Sequence, residues 1–307
     1  MQYLEDGTHN ILLAVDFTQP TKRSFDAAVR MARVFGAKLH VLHVNEEDEL
    51  FGSSHNSEEV DKFVKDVIAR RATWMESFEE TANELGIDCE AILRDGRPAD
   101  TILKVADEVD AGMIVLGTQG ARGVSSLLTG SVAKRVLRRA ERPVLVISRE
   151  AGVAPAGSGG SFEHVVYPTD FSEASRSGLY LAELFARRTE CKLSLINVLG
   201  MPRLIPSMPG EQPIVIPRSV ADHLRTELEA EMAELVAGLD AEHVDSFIAI
   251  NANTTYGIVD SAKSSGVDLI LMPRHSQHTV STYFTGRTAE NLVKIAPVPV
   301  LLFSPRG

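Results

Sequence analysis

The sequence predicts an α/β protein made of two tandem doubly wound five-stranded parallel-sheet domains. Three observations predict it: apolar runs alternate with amphipathic helical segments, the whole pattern occurs twice, and a Gly-, Ala-, Pro- and Ser-rich stretch separates the two occurrences. Runs such as MIVLG (113–117) and PVLVIS (143–148) are apolar throughout, as strands covered on both faces require. A β-α-β-α order with such strands argues for a parallel sheet with crossover helices.

In the first half the strands are expected near 11–16, 38–44, 87–93, 112–117 and 143–148, and the helices near 20–35, 57–85, 98–109 and 130–140. The repeat is direct. ILLAVDFTQPTKRSFDAAVRMARVFGAKLHVLHVN (11–45) resembles HVVYPTDFSEASRSGLYLAELFARRTECKLSLINV (164–198), with Asp170 following Asp16 by 154 residues. Near the end of each half, RPVLVIS resembles VPVLLFS, with Pro299 following Pro143 by 156 residues. Each of these prolines opens the last strand of its half, a position proline tolerates. REAGVAPAGSGGS (149–161) reads as a linker, which places the domains at 1–150 and 162–307, with 151–161 between them.

A length of 307 residues suits two domains, and 44% apolar with 24% charged residues is ordinary for a globular chain. The net charge of −11 disfavours nucleic acid and anionic membrane partners. It does not disfavour one small anion, because a helix N-terminus binds phosphate locally. The two cysteines, Cys89 and Cys191, give no disulfide or zinc spacing and read as buried apolar residues. MQYLEDGTHN has no signal-peptide pattern, and no apolar run approaches the roughly 20 residues of a membrane span, so the expected location is cytoplasmic.

Ligands of doubly wound sheets bind beyond the carboxyl ends of the strands. Asp16, Val44 and Gly117 stand there. After the fourth strand comes GTQGARGVSSLLTGSVAKRVL: Gly117 and Gly120 are two residues apart, and nine residues lead on to Gly130 and Ser131 at the start of a helix. Glycines permit positive φ and close backbone approach, the N–H groups and dipole of the helix start favour a phosphate, Ser131 adds a hydroxyl donor, and Arg122 adds a counter-charge. The spacing is neither that of a P-loop nor that of a dinucleotide fingerprint after the first strand.

The Gly117, Gly120, Gly130 and Ser131 pattern, the Asp-Phe after each first strand and the LHV ending of the second strand together resemble the universal stress protein family. The resemblance covers nearly the whole chain as two domains. It implies an adenine nucleotide α-hydrolase-like, flavodoxin-like sandwich in each half, with the halves packed as an internal pseudo-dimer through 143–148 and 298–304, and it leaves room for a homodimer. It implies ATP, or AMP or ADP, in the first domain, with magnesium held by the phosphates. Adenine would lie near Val44 and the backbone of Ala14, with Asp16 beside the nucleotide. Leu116, Gly117, Gln119 and Gly120 would line the ribose and phosphate side, and Gly130, Ser131 and Val132 would hold the phosphates.

The second half departs from this pattern. Pro273, Ser276 and Arg287 stand in place of Gly117, Gly120 and Ser131, and of the motif only Gly286 remains. Proline lacks an N–H and fixes φ, so this loop cannot wrap a triphosphate in the same way. It is either an anion site made by Arg274 and Arg287 or a copy kept for packing. His275 and His278 read as a solvated loop rather than a metal pair, and His40 and His43 as packed or capping residues. Segment 200–218, rich in proline and apolar residues, is either a flap or partner contact or a surface loop. Trp74 is expected to face the core. With no catalytic nucleophile or base in evidence, the leading expectation is a nucleotide-binding stress or signalling protein. The alternatives are a slow ATPase or nucleotidyl-transfer enzyme at the same site, and a nucleotide-independent scaffold.

Overall fold

The first strand, Asn10–Val15 (β1), is central because its apolar residues need cover on both sides: Ile11, Leu12 and Leu13 are fully buried. A computed structural model describes residues 9–17, 21–46, 58–118, 130–158, 161–201, 204–205, 214–240, 243–274 and 287–304. The chain divides into two units, 1–160 and 161–306.

In the first unit β1 lies between Lys38–Asn45 (β2) and Met113–Gly117 (β4); Cys89–Asp95 (β3) pairs outside β2, and Val144–Ile147 (β5) outside β4. Every pairing is parallel, and the order β3-β2-β1-β4-β5 is that of a doubly wound sheet. The helices are Thr21–Phe35 (α1), Glu58–Glu84 (α2), Pro98–Glu108 (α3) and Ser131–Arg139 (α4). The first packs on β1, β2, β4 and β5, and the second on β2 and β3. Every residue of α1 from Ser24 to Ala32 is buried, so the helix is covered nearly all round rather than along one stripe. Gly36, with φ of +62°, ends α1 in the left-handed region, and Ala37 N then bonds Ala32 O at 2.8 Å.

The segment expected to be a linker is laid along α1 over its described part. Arg23 Nη1 donates to the carbonyl of Ala151 at 3.2 Å, Ala156 N donates to Asp26 Oδ1 at 3.0 Å, and Arg33 Nη1 donates to Ala156 O at 3.2 Å. Small side chains allow this close approach, and Ala151 and Ala156 are buried.

The second unit repeats the plan. His164–Pro168 (β6) is flanked by Lys192–Gly200 (β7) and Leu269–Pro273 (β11), with Val244–Asn251 (β10) outside β7 and Val300–Phe303 (β12) outside β11, all parallel. Its helices are Glu173–Thr189 (α5), Arg218–Ala237 (α6), Thr254–Ser264 (α7) and Arg287–Ile295 (α8). Leu204–Ile205 (β8) and Ile214–Val215 (β9) form a short antiparallel pair inside the proline-rich segment, much of which lies outside the described residues. No helix among the described residues is long and apolar enough to cross a membrane.

Candidate functional site

The carboxyl edge of the first sheet gathers the ends of β1, β2 and β4 with the start of α4. Ala14, in β1, is paired with Leu42 on one side and Leu116 on the other. Val44 is 8% exposed, just inside the edge. Asp16 follows β1, half-buried, and the hydroxyl of Thr21 at the start of α1 donates to its Oδ1 at 3.4 Å. Gly117 is the last residue of β4, paired with Ile147.

The ends of the glycine-rich loop are fastened together. Thr118 N bonds Ile147 O at 3.0 Å, and Gly130 N bonds Thr118 O at 2.6 Å. This brings the start of α4 to the end of β4 and places Gly130, Ser131 and Val132 beside Gly117. Gln119, Gly120 and Arg122 lie outside the described residues. Gly130 caps α4 with φ of −51° and ψ of 145°, so left-handed backbone is not its reason for being glycine. Among the described residues no side chain caps α4. Its first intrahelical bond is Lys134 N to Gly130 O at 3.1 Å, so the N–H groups of Ser131, Val132 and Ala133 precede it. Helices α5 and α7, by contrast, are capped by Ser172 and Asn253, which accept from Ser175 N and Tyr256 N.

Sequence reasoning missed the residues that fix Asp16. Phe17 has φ of 60°, a left-handed conformation costing about 1–2 kcal/mol for a residue with a Cβ. The same conformation recurs at Phe171, with φ of 61°. The Phe17 ring packs edge-on against His43 at 4.0 Å and against Trp74 of α2 at 4.4 Å, and the Arg71 guanidinium lies 5.5 Å from its centroid. His43 Nδ1 is 2.9 Å from the carbonyl of Val15; a carbonyl only accepts, so this nitrogen carries the proton. In the second unit Asn197 stands 154 residues after His43, and its Nδ2 donates to Thr169 O at 2.9 Å. The same bond to the end of the first strand is thus made by different chemistry. The Asp-Phe dipeptide common to both repeats was the available signal. His40 and His43 are both buried, as packed residues are, and Trp74 is half-buried against Phe17 and Phe78.

The equivalent edge of the second unit is built differently. Asp170 is exposed, and its Oδ1 accepts from Ser172 N at 3.0 Å, a local turn contact. Pro273 ends β11, and Arg274, in place of Thr118, is 6% exposed, with its Nε donating to Ser304 Oγ at 3.1 Å. Arg287 opens α8 and is exposed. Ser276, Gly286, His275 and His278 lie outside the described residues. Among the described residues no group of three or more His, Cys, Asp or Glu side chains is placed to share a metal ion. Cys89 and Cys191 are buried free thiols; burial pushes the first up to about 12 and raises the second.

Two doubly wound units, one following the other in the chain, define a tandem α/β protein. The universal stress protein family model matches residues 7–148 and again 161–304, and the chain belongs to that family. A universal stress protein of Bacillus subtilis, YxiE, is 31% identical over 145 residues, which are 45% of this chain and 98% of that one. One of Thermus aquaticus is 35% identical over 140 residues, 45% of this chain and 96% of that protein. A crystal structure of a universal stress protein from Archaeoglobus fulgidus covers 97% of this chain and 99% of its own at 23% identity, with a TM-score of 0.62, and shares the fold.

Proposed function

We propose that the first unit binds one adenine nucleotide, ATP or its di- or monophosphate, and that the protein acts in a cytoplasmic stress or signalling response through that ligand. The observation that carries this reading is the fastening of Gly130 N to Thr118 O at 2.6 Å, which sets the N-terminus of α4, capped by no side chain among the described residues, beside the end of β4. The N–H groups of Ser131, Val132 and Ala133 precede the first intrahelical bond, and with the helix dipole they favour a phosphate. Val44 and the Ala14 backbone lie at the adjoining strand ends, where a flat base would rest, and Asp16 stands beside them. Magnesium would come with ATP, held by the phosphates, with Asp16 the carboxylate at that edge. The second unit keeps only Gly286 of the motif and has the buried Arg274 at the equivalent strand end, so one nucleotide per chain is expected.

Calorimetric titration of the full chain with ATP, ADP, AMP and cyclic AMP tests this. One site per chain is expected, and Gly130→Val should abolish it, because a branched side chain would fill the phosphate space. Trp74 is the chain's one tryptophan and packs on Phe17, so its fluorescence should change on binding. Two equivalent sites per chain, or full binding by the Gly130→Val protein, would overturn the reading.

A further inference from the structure

The amino ends of the strands, at the sheet edge opposite the candidate site, carry a second polar cluster in each unit. In the first unit His40 of β2 places Nε2 3.0 Å from Asn10 Oδ1 on β1, and Nδ1 3.5 Å from Glu90 Oε2 on β3. Lys38 Nζ is 2.9 Å from the same Glu90 oxygen. In the second unit the pair is reversed. The imidazole now sits on the first strand, as His164 of β6, and the small polar partner, Ser194, is on β7. Asp245 of β10 takes the place of Glu90, with Lys192 Nζ 2.7 Å from its Oδ2.

The reversal changes the proton count. His164 Nδ1 is 2.9 Å from the carbonyl of Ser265, which can only accept, so Nδ1 carries a proton. His164 Nε2 is 2.7 Å from Ser194 Oγ. Ser194 Oγ also contacts Asp245 Oδ1 at hydrogen-bond range. A hydroxyl has one hydrogen and cannot donate to both an unprotonated Nε2 and a carboxylate. Making both contacts therefore needs one proton more than a neutral imidazole, a hydroxyl and a carboxylate supply. Burial pushes the Asp245 carboxyl up, but the hydrogen bonds from Lys192 and Ser194 outweigh it and hold that group below its ordinary value, so the extra proton belongs on the ring. His164 and Ser194 are 8% and 1% exposed, which keeps water from replacing either contact.

We infer that His164, Ser194 and Asp245 form a buried proton-holding relay, with His164 an imidazolium donating from both nitrogens, that locks the amino ends of β6, β7 and β10 to the turn after α7. The charged groups around the ring are Lys192 on β7, Asp245 on β10, Glu163 just before β6, and Asp268 ahead of β11, whose Oδ2 accepts from Glu163 N at 2.8 Å and from His164 N at 3.4 Å. The first unit has no such relay: its imidazole donates from Nε2 to an amide oxygen, and burial lowers the affinity of His40 for a second proton.

The test is nuclear magnetic resonance of the full chain labelled with 13C and 15N histidine, at a pH of about 7.5, one unit above the ordinary histidine value. The resonance that disappears in His164→Gln should show both ring nitrogens in the protonated range. Ser194→Ala and Asp245→Asn should each return it to a single neutral tautomer at that pH. Should His164→Gln fail to fold, the one imidazole whose state changes in Ser194→Ala makes the assignment. A neutral His164 in the wild type, or a doubly protonated one that survives both other variants, overturns the inference. The result is independent of nucleotide binding, which the calorimetry reads at the other edge of the other unit.

Discussion

Replacing His43 separates the bond it makes from the ring it contributes. His43→Ala removes the donor to Val15 O and leaves that buried carbonyl without this bond, a cost of about 1–3 kcal/mol. It also removes the edge-on contact with Phe17, worth about 0.5–1.5 kcal/mol. The expected loss for His43→Ala is therefore about 2–4 kcal/mol. His43→Asn keeps the donor, as Asn197 does at the same place in the second unit, and loses only the ring contact and some packing. Its expected loss is about 1–2 kcal/mol. The assay is equilibrium urea unfolding followed by Trp74 fluorescence, with stability extrapolated linearly to water. The probe is local, since Trp74 lies in α2 at 4.4 Å from Phe17 and is the chain's one tryptophan. Equal destabilisation by the two substitutions would refute the reasoning, because it would mean that the bond to the strand end contributes nothing. Because the Val15 carbonyl immediately precedes Asp16, nucleotide affinity should follow the same order, with His43→Asn closer to wild type.

Two further outcomes follow from buried polar groups. Burial lowers the pKa of His40 from 6.5, so the unfolded chain takes up a proton there that the folded chain does not. Its contribution is complete above pH 6.5 and declines as pH falls below it, so the Trp74-detected urea midpoint should drop between about pH 6.5 and 5, and His40→Gln should flatten that drop. Gly178 of α5 faces a crowded sheet: a Cβ there would stand 2.6 Å from Tyr167 Oη and 3.2 Å from Phe303. The Tyr167 hydroxyl is fixed by its bond to Ser175 O at 2.6 Å and cannot swing away, so Gly178→Ala should destabilise the second unit by about 1–3 kcal/mol, and a double-mutant cycle by calorimetry should show the cost shrinking in a Tyr167→Phe background.

The strands and helices of the first unit were legible to within two residues at each end, because each depends on a pattern carried by its own stretch of chain. MIVLG is apolar at every position, and β4 is buried along its length up to the half-buried Gly117. Less of the candidate site could be read. Spacing singles out Gly117, Gly130 and Ser131, but Thr118, whose carbonyl accepts from Gly130 N, shows nothing special in sequence. The motif glycines permit positive φ, and Gly130 does not use it. The residue after Asp16 that does adopt positive φ is a phenylalanine, because His43, Trp74 and Arg71 hold its ring from other elements.

The sequence by itself determined the duplication, the α/β class, the order of elements and the asymmetry between a glycine loop and its proline-containing copy. These follow from local periodicity and from comparing the chain with itself. The tertiary structure alone decided which polar residues meet. The pairs Asn10–His40 and His164–Ser194 are 30 residues apart in sequence and become neighbours only through strand register, since Asn10 and His164 face the starts of β2 and β7. Residues 149–158, which look like free linker by composition, are laid along α1 by Arg23, Asp26 and Arg33. Hydrogen bonds of this kind depend on angstrom-scale distances between distant segments, and a pattern along the chain records what each residue can donate or accept without recording whom it will meet.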